Sequence, residues 1–473
     1  MKKVVNSSLI LILLIGWGGT VTSFSQEAMK EKVSLSELIK EALEQNPQLE
    51  AARNDWKAAL EVIPQAKSFP DPMLSYSYFG QSIETRVGPQ RNKFSLSQKV
   101  PFFGKLSLKG KIAESAASIF EEQYKAVRAD ITLKVKIGYY SLYWLDKALK
   151  ISLEERRVLK RLAKIAEKKY ETGKAIQQDV LKAQLEISRI TDKILLLKQG
   201  RTGVVGRLNS LLNRPVDSHL GEAEEFAIQE LEAGLEDLYE WAKEERPELR
   251  KARNLIEKNE KSLKLAKKDY FPDFKLMFDY IDVGGGTTDH PEDGRNSWMS
   301  SVGINIPLWR SKLKAAEAEK AIRLKASQEN YRNLENETLS RLNEMFFEVK
   351  TAQEQVELYQ YSLLPQAEQS LKASEVGYLA GKVDFLNLLD SERMVLQIKI
   401  GYFKAISDWG KSFAQLERVV GKELIREYSA ISSLPDKIKT HTNTDSFSLA
   451  YFNKRNLLKT NENEEQKGGI QDE

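Results

Sequence analysis

The sequence contains the segment Asn46-Pro47-Gln48-Leu49-Glu50-Ala51-Ala52-Arg53-Asn54, which returns 200 residues later as Arg246-Pro247-Glu248-Leu249-Arg250-Lys251-Ala252-Arg253-Asn254. Three further landmarks return in the same order at offsets of 202 to 208 residues. They are Phe69-Pro70-Asp71 with Phe271-Pro272-Asp273, Val100-Pro101 with Ile306-Pro307, and Tyr170-Glu171-Thr172-Gly173-Lys174 with Tyr378-Leu379-Ala380-Gly381-Lys382. Ordered self-similarity at a nearly constant spacing indicates a structural repeat. We therefore predict two similar repeats, over residues 26–222 and 223–424.

Each repeat is predicted to contain short helices, two strands, one very long helix and a return helix. Residues 105–169 contain no proline, and their apolar residues step by three or four, which is typical of a long helix packed laterally against others. Pro365 lies inside the second long helix and predicts a kink there. The predicted elements are strands at about 73–80 and 93–100, helices over 105–169 and 180–212, strands at about 273–282 and 297–307, and helices over 311–376 and 385–420. The predicted fold class is mainly α with a small β part.

The predicted strands alternate between two kinds of residue. In the first, Leu74, Tyr76 and Tyr78 share one face and Ser75 and Ser77 share the other. Such alternation is typical of strands that cross an outer membrane. A half-buried hairpin of a water-soluble domain shows the same pattern, and the strands alone do not separate the two interpretations. The polar, glycine-rich segments 80–92 and 282–297 are predicted to be outer loops.

The two ends of the chain differ from the repeats. Lys2 and Lys3 precede a short apolar run, Leu9–Ile15, and a small-residue cleavage site near Ser25. This pattern predicts a signal peptide over residues 1–25, since the apolar run is much shorter than the roughly 20 residues that a spanning helix needs. The polar segment 425–473 is predicted to be a disordered tail.

Composition argues against several functional classes. The chain has 473 residues with 72 Lys+Arg, 68 Asp+Glu, 3 His and no Cys. The absence of Cys excludes disulfides, a thiolate metal site and a cysteine nucleophile. The nearly balanced charge argues against a nucleic-acid partner. The sequence therefore predicts a protein that is not an enzyme and has no cofactor or metal site.

Membrane strands would require self-association. Four strands per chain cannot close a barrel, and an open sheet edge in lipid leaves backbone groups without hydrogen bonds, at several kcal/mol each. Two copies would supply eight strands, which side chains largely fill, whereas three copies would supply twelve strands and leave a lumen.

Over about residues 30–422 the chain resembles the outer membrane efflux protein family, the TolC-like outer-membrane factors. The motifs that carry this resemblance are Ser97-Gln98-Lys99-Val100-Pro101-Phe102-Phe103-Gly104-Lys105, the segment 170–181, Leu363-Leu364-Pro365-Gln366-Ala367, and Tyr378-Leu379-Ala380-Gly381-Lys382-Val383-Asp384-Phe385-Leu386. The Pro-Phe-Phe-Gly-Lys junction is closer to the heavy-metal cation branch of the family than to the drug branch. The resemblance implies a homotrimer with a twelve-stranded transmembrane β-barrel that continues into a periplasmic α-helical barrel.

The resemblance also implies a function and partners. Such a protein is the passive outer-membrane channel of a tripartite efflux system, joined to a periplasmic membrane-fusion adaptor and an inner-membrane pump of the RND type. Its barrel contacts outer-membrane lipid. An alternative from another class is a secreted or periplasmic coiled-coil scaffold without a pore, which would be soluble after release from the periplasm.

The family's closable tip maps onto two short segments. Asp179 and Asp384 match the tip acids, where inward carboxylates in three copies would favour cations. Asn387 stands where some relatives carry another acid, and the turn from Gly381 to Asp384 is three residues shorter than that from Gly173 to Asp179. A helix N-cap would equally explain each Asp. Tyr170 and Tyr378 are predicted to pack at the tip. The turns and the rim that contacts the adaptor are predicted to be formed by Gly173, Lys174, Gly381 and Lys382.

Overall fold

The computed structural model describes residues 32–228 and 231–424. The predicted signal peptide and the predicted tail lie outside the described residues. The chain divides into two units by its contacts. The first unit contains every helix and strand of the described residues, and only residues 225–228 of the second unit are described.

The first repeat has six main elements in chain order. They are α1 (Leu35–Gln45), α2 (Pro47–Lys67), β2 (Met73–Thr85), β3 (Gly88–Val100), α3 (Lys105–Glu171) and α4 (Gln177–Leu211). A two-residue strand β1 (Lys32–Val33) precedes them and pairs in parallel with β4 (Glu222–Ala223), which sequence patterns did not reveal. At about 1.5 Å per residue, the 67 residues of α3 extend about 100 Å.

The second repeat follows the same order. Its elements are α5 (Leu235–Glu245), α6 (Pro247–Lys268), β5 (Phe274–Val283), β6 (Ser297–Ile304), α7 (Arg310–Leu358), a π-helical turn (Tyr359–Leu363), α8 (Leu364–Leu379) and α9 (Phe385–Val420). In both repeats a proline begins the second helix directly after a capping position, at Asn46 and Arg246. The Asn46 carboxamide oxygen accepts hydrogen bonds from the N–H groups of Gln48 and Leu49, so this helix start is capped by its own side chain.

The break expected near Pro365 is a π-helical turn. Pro365 has no N–H and its ring would clash with the carbonyl one turn earlier, so the preceding segment cannot continue as a regular α-helix without adjustment. The wider π turn over Tyr359–Leu363 provides that adjustment, and Leu364 donates its N–H to the carbonyl oxygen of Tyr359.

Four strands form one antiparallel sheet in the order β2-β3-β5-β6. One correction concerns the first hairpin, where we predicted a long polar loop over residues 80–92. In the structure β2 and β3 continue as paired strands to Thr85 and Gly88, which leaves a tight turn at residues 86–87. The Thr85 hydroxyl donates to the Gly88 carbonyl across this turn at 2.6 Å. Gly88 and Pro89 are buried at this end, and Gly284, which follows β5, donates its N–H to the Pro89 carbonyl at 2.8 Å, so the neighbouring strand supports the extended hairpin.

The helical core lies along α3, which packs against α2, α4, α6 and α9. Two ion pairs tie α3 to α9, the first buried and the second with a half-exposed carboxylate. Lys136 Nζ lies 2.6 Å from Glu417 Oε2, and Arg418 Nε lies 2.7 Å from Asp130 Oδ1. Contacts of such long sequence separation join the two repeats into one unit. None of the helices in the described part of the chain is long and apolar enough to cross a bilayer.

Candidate functional site: the helix tips and the four-stranded sheet

Two turns of identical backbone design connect the long helices to the return helices. We call residues 170–179 the first tip and residues 378–387 the second tip. Gly173 and Gly381 adopt φ of 70° and 72°, in the left-handed region that favours glycine. Lys174 donates its N–H to the carbonyl of Lys169 at 2.7 Å, and Lys382 donates to Gly377 at 2.9 Å. These bonds close both helix ends in the manner of a Schellman motif.

The geometry corrects the expected difference in length between the two turns. Both tips have five residues between their helices, so the turns are equal in length and the 208-residue offset holds throughout. The counterpart of Asp384 is therefore Ile176, and the counterpart of Asp179 is Asn387. The apparent three-residue difference arose because two non-equivalent acids were compared.

The two acids have different local roles. Asp384 is the N-cap of α9, and its Oδ1 accepts the Asn387 N–H at 2.8 Å, which confirms the capping interpretation for this residue. For Asp179 that interpretation is wrong, since Ile176 occupies the N-cap of α4 and has no side-chain acceptor. Asp179 lies in the first turn of α4, where a carboxylate interacts favourably with the helix dipole.

Tyr378 is the residue through which the two tips meet. It is buried and its ring packs on Phe385 with centroids 5.4 Å apart. From the first repeat, Lys169 places its ammonium 3.9 Å from the centroid of the Tyr378 ring and donates to the Tyr378 carbonyl at 2.8 Å. Burial, and then the negative charge of Asp179, raises the pKa of the Tyr378 hydroxyl. Tyr170, by contrast, is 47% exposed, so packing within this chain does not explain it.

An ion pair and an apolar cluster join the helical hairpin α3–α4 to the helical hairpin α8–α9 next to the tips. Arg393 of α9 donates to Glu186 of α4, and Arg189 also donates to Glu186, at 3.0 Å. The hydrogen bond from Arg393 lowers the pKa of Glu186 despite its partial burial. The buried residues around this link come from both repeats and are Leu159, Leu162, Ala166, Ala183, Ile190, Ile194, Tyr378, Phe385, Leu388 and Leu389.

Two carboxyl groups are buried beside this cluster. Glu155 of α3 and Glu392 of α9 are 9% and 3% exposed. Burial and then repulsion from Glu392 raise the pKa of Glu155 to about 7, against the smaller opposing effects of Lys399 and Lys193. Burial and then repulsion from Glu375 raise the pKa of Glu392 to about 7, with Lys399 and Arg161 opposing. Sequence reasoning missed this pair because α3 and α9 meet only in the folded chain.

The sheet has one apolar and one polar face, as the alternation predicted. The register aligns Leu74 with Leu96, Tyr76 with Phe94, Phe94 with Tyr280 and Tyr280 with Trp298. The residues of this face are exposed, and they are Leu74, Tyr76, Phe94, Leu96, Leu276, Phe278, Tyr280, Trp298, Val302 and Ile304. A continuous exposed apolar patch of this kind marks a surface for lipid or another apolar partner.

The opposite face of the sheet is polar and hydrogen-bonded. Asp279 is buried there, accepts a hydrogen bond from the Ser95 hydroxyl and lies 3.2 Å from Lys93 Nζ. Large apolar side chains surround the junction between sheet and helices, where Phe103 and Trp309 are 76% and 77% exposed. Aromatic residues are enriched at membrane–water interfaces, which suits this position next to an apolar sheet face.

Within the described residues, no group of three or more His, Cys, Asp or Glu side chains is arranged to hold a metal ion. The arrangement instead has the features of a conduit: a sheet with opposite apolar and polar faces, continuous with long helices that end in two matched turns. This is the architecture of an outer-membrane channel protein.

Comparisons with known proteins agree with this architecture. The family model described as "Outer membrane efflux protein" matches residues 38–214 and 238–422. The chain is 23% identical over 400 residues to the cobalt-zinc-cadmium resistance protein CzcC of Cupriavidus metallidurans, covering 80% of this chain and 87% of that protein. It is 21% identical over 403 residues to the outer membrane protein TolC of Vibrio cholerae, covering 82% and 90%. The crystal structure of VceC from Vibrio cholerae is similar with a TM-score of 0.69 at 18% identity, covering 83% of this chain and 97% of that one.

The chain belongs to the outer membrane efflux protein family. It is an outer-membrane channel of an efflux system, with its helical part in the periplasm. This membership supports the channel over the alternative of a secreted scaffold without a pore.

Proposed function

We propose that three copies of this chain form a passive duct that carries cargo from an inner-membrane pump, through a periplasmic adaptor, across the outer membrane. The observation that carries this proposal is the four-stranded sheet. Its order leaves β2 and β6 as edge strands, while its apolar face is exposed along its whole width. Unpaired edges in lipid are costly, and pairing β2 of one copy with β6 of the next removes them. Three copies then give a closed sheet of twelve strands around the polar face.

The tips are the closable end of this duct. In the trimer, Asp179, Asp384 and Asn387 line or border the constriction, and Tyr170 and Tyr378 pack beside it. The exposed side chain of Tyr170 contacts a neighbouring copy, which accounts for its exposure in the single chain. Opening requires the two hairpins to separate, so the contacts of Lys169 with Tyr378 and of Arg393 with Glu186 favour the closed state.

The rim of the tips docks the adaptor. Gly173, Lys174, Gly381 and Lys382 form its turns. Beside the first tip a shallow groove is lined mainly by lysines, namely Lys164, Ile165, Lys168, Lys169, Thr172 and Lys174. A groove of this charge favours an acidic adaptor segment. The duct performs no chemistry and uses no cofactor, and an RND-type pump supplies the energy.

Divalent metal cations are the first cargo to test. The relative CzcC is named for resistance to cobalt, zinc and cadmium, and the Pro101–Lys105 junction resembles the metal branch of the family. A deletion strain should therefore accumulate one of these metals when the medium contains it, and plasmid-borne expression of the full chain should reverse the accumulation.

Cross-linking through introduced thiols tests the trimer. The chain has no native Cys, so only the introduced thiols can react. The variant S75C/S301C carries one thiol on each edge strand. Treatment of outer-membrane vesicles with a short bifunctional thiol reagent should give a ladder that ends at three chains. The matched control S97C/M277C places thiols on register partners of the inner strands β3 and β5, so it should remain at one chain.

Two results would contradict the proposal. One is an S75C/S301C sample that stays at one chain while the control forms its internal cross-link. The other is recovery of the mature chain in the soluble periplasmic fraction.

A further inference from the structure

Two lysines lie directly opposite each other on the polar face of the sheet. Lys99 of β3 and Lys275 of β5 are register partners in an antiparallel pair, and both are exposed. Side chains at such positions share one face with their Cβ atoms about 5 Å apart, and like charges there destabilise the sheet. A sheet that keeps this repulsive pair has its positive charge concentrated at one level, next to the helical junction.

Nearby carboxylates neutralise little of this charge. Asp273 is the acid nearest to Lys99, with its Oδ2 3.7 Å from Nζ, but its Oδ1 is held by the buried Lys105 at 2.9 Å and by the Phe102 N–H at 2.9 Å. Asp279, further along the strand, is occupied by Lys93 and Ser95. In the described part of the chain, no carboxylate lies within ion-pair distance of Lys275.

The remaining charged residues of the polar face do not reverse the sign. On the regular pairs of β3 and β5, this face carries Lys93, Lys99 and Lys275 against the single carboxylate of Asp279. The paired positions of β6, and those of β2 before its register shift (residues 73–78), are uncharged, and Glu84 of β2 lies beyond that shift. The net charge of these positions is +3 − 1 = +2 per chain. This sum leaves out Asp273, whose carboxylate is shared between Lys99 and Lys105.

We propose that Lys99 and Lys275 form a ring of positive charge, here called the lysine belt, that makes the sheet section of the duct favour anions over cations. This inference rests on the proposed trimer, in which two lysines from each of three copies give six ammonium groups at one level. Twelve strands about 4.8 Å apart and tilted about 40° enclose a backbone radius of roughly 12 Å. The ends of lysine side chains then come within a Debye length, about 8 Å, of the axis, so passing ions experience their field.

The belt has a consequence for cargo. Rings of Lys or Arg favour anions in pores, in the same way that rings of Asp or Glu favour cations. A free divalent cation is repelled at this level from either side, whereas an anionic molecule or a metal carried with anionic ligands is not. The belt thus selects anionic or anion-complexed cargo and opposes the return of free metal cations.

The test is ion selectivity of the purified full-length trimer in a planar lipid bilayer under a tenfold KCl gradient. Replacement of both lysines, K99Q/K275Q, should lower the chloride-to-potassium permeability ratio at least about twofold. The charge-preserving control K99R/K275R should leave the ratio within experimental error of the wild type. The Gln substitutions remove like-charge repulsion, so they should not harm folding. K275Q alone should give an intermediate shift of the permeability ratio, because Lys275 has no carboxylate partner.

The outcomes separate the two proposals. No conductance from a verified trimer, in any of these proteins, would contradict the duct itself. Conductance with the same permeability ratio in K99Q/K275Q as in wild type would overturn the lysine belt while leaving the duct intact. An equal shift in the Arg and Gln variants would also overturn it, because the effect would then follow side-chain shape and not charge.

Discussion

Ile176 and Asp384 occupy the same position, the N-cap of a return helix, in two tips whose backbones follow the same path. The Asp384 side chain accepts the N–H of Asn387, whereas Ile176 has no side-chain acceptor and the equivalent N–H of Asp179 donates to the Ile176 carbonyl at 3.1 Å. The two tips therefore share a backbone conformation but differ in the side chain at the N-cap. The second tip is held by a side-chain cap and the first tip is not, which makes the two ends unequal in local stability.

This inequality leads to the first prediction. Replacing Asp384 by Ala removes the cap and should cost about 1 kcal/mol, so backbone amides in the first turn of α9 should exchange hydrogen about fivefold faster. Asn can also cap, so D384N should exchange nearly as slowly as wild type. Conversely, I176D should slow exchange in the first turn of α4. Equal exchange in D384A and D384N would contradict the capping role.

The second prediction concerns the link between hairpins. Two arginines donate hydrogen bonds to Glu186, and R393A removes the one that comes from the other repeat. We expect the closed state to lose about 1–2 kcal/mol and the single-channel conductance of the trimer to rise. R189A is the matched control, because Arg189 bonds the same carboxylate from within α4 and does not join the hairpins. If both variants conduct alike, the link does not hold the tip closed.

The tips show most clearly which features could be predicted from the sequence and which could not. The two glycine turns could be predicted from the sequence because a chain reversal after a long helix needs a residue in the left-handed conformation, as at Gly173 and Gly381. The repeat could be predicted from the same landmarks. The offset of 208 residues between Tyr170–Lys174 and Tyr378–Lys382 pairs Asp179 with Asn387 if it continues through the turn, and the sequence alone does not show that it continues. The helix starts at Gln177 and Phe385 show that it does.

The sheet and the helix contacts give a similar contrast. Alternation predicted which residues share a face, because side chains in a strand alternate with a period of two. It did not predict the extent of β2 and β3, where residues with no apolar alternation continue the ladder beyond Gly80. Arg393 and Glu186 lie 207 residues apart, and no local pattern connects them.

The third prediction concerns pH. The pKa of Glu155 and of Glu392 is raised to about 7 by burial and by repulsion from other carboxylates, so the folded chain favours their neutral forms. Their stabilising effect is full below the unfolded pKa of about 4.5 and is lost as the pH rises through about 7. The loss is on the order of 2 kcal/mol for the coupled pair.

The measurement is the thermal melting midpoint of the detergent-extracted trimer at pH 5.5 and pH 8. E155Q and E392Q should each raise the midpoint at pH 8 and reduce the difference between the two pH values. E186Q is a control of opposite sign: because the pKa of Glu186 is lowered, its stabilising effect is present above about 4.5 and is lost as the pH falls. A pH difference that is unchanged in E155Q and E392Q would contradict the assignment.

The last prediction tests the packing of the π-helical turn against α9. A Cβ atom added at Gly401 would lie 2.7 Å from the Tyr359 hydroxyl oxygen and 2.8 Å from its ring, closer than packed side chains allow. G401A should therefore lower stability by about 1–2 kcal/mol, even though Ala favours a helix more than Gly does. The control is G203A in α4, where the nearest atom to an added Cβ is the end of the Arg207 side chain at 3.7 Å, so the melting midpoint should stay equal or rise. If the clash is the cause, Y359A should remove most of the penalty of G401A in a double-mutant cycle, and additive effects would show that Gly401 is required for another reason.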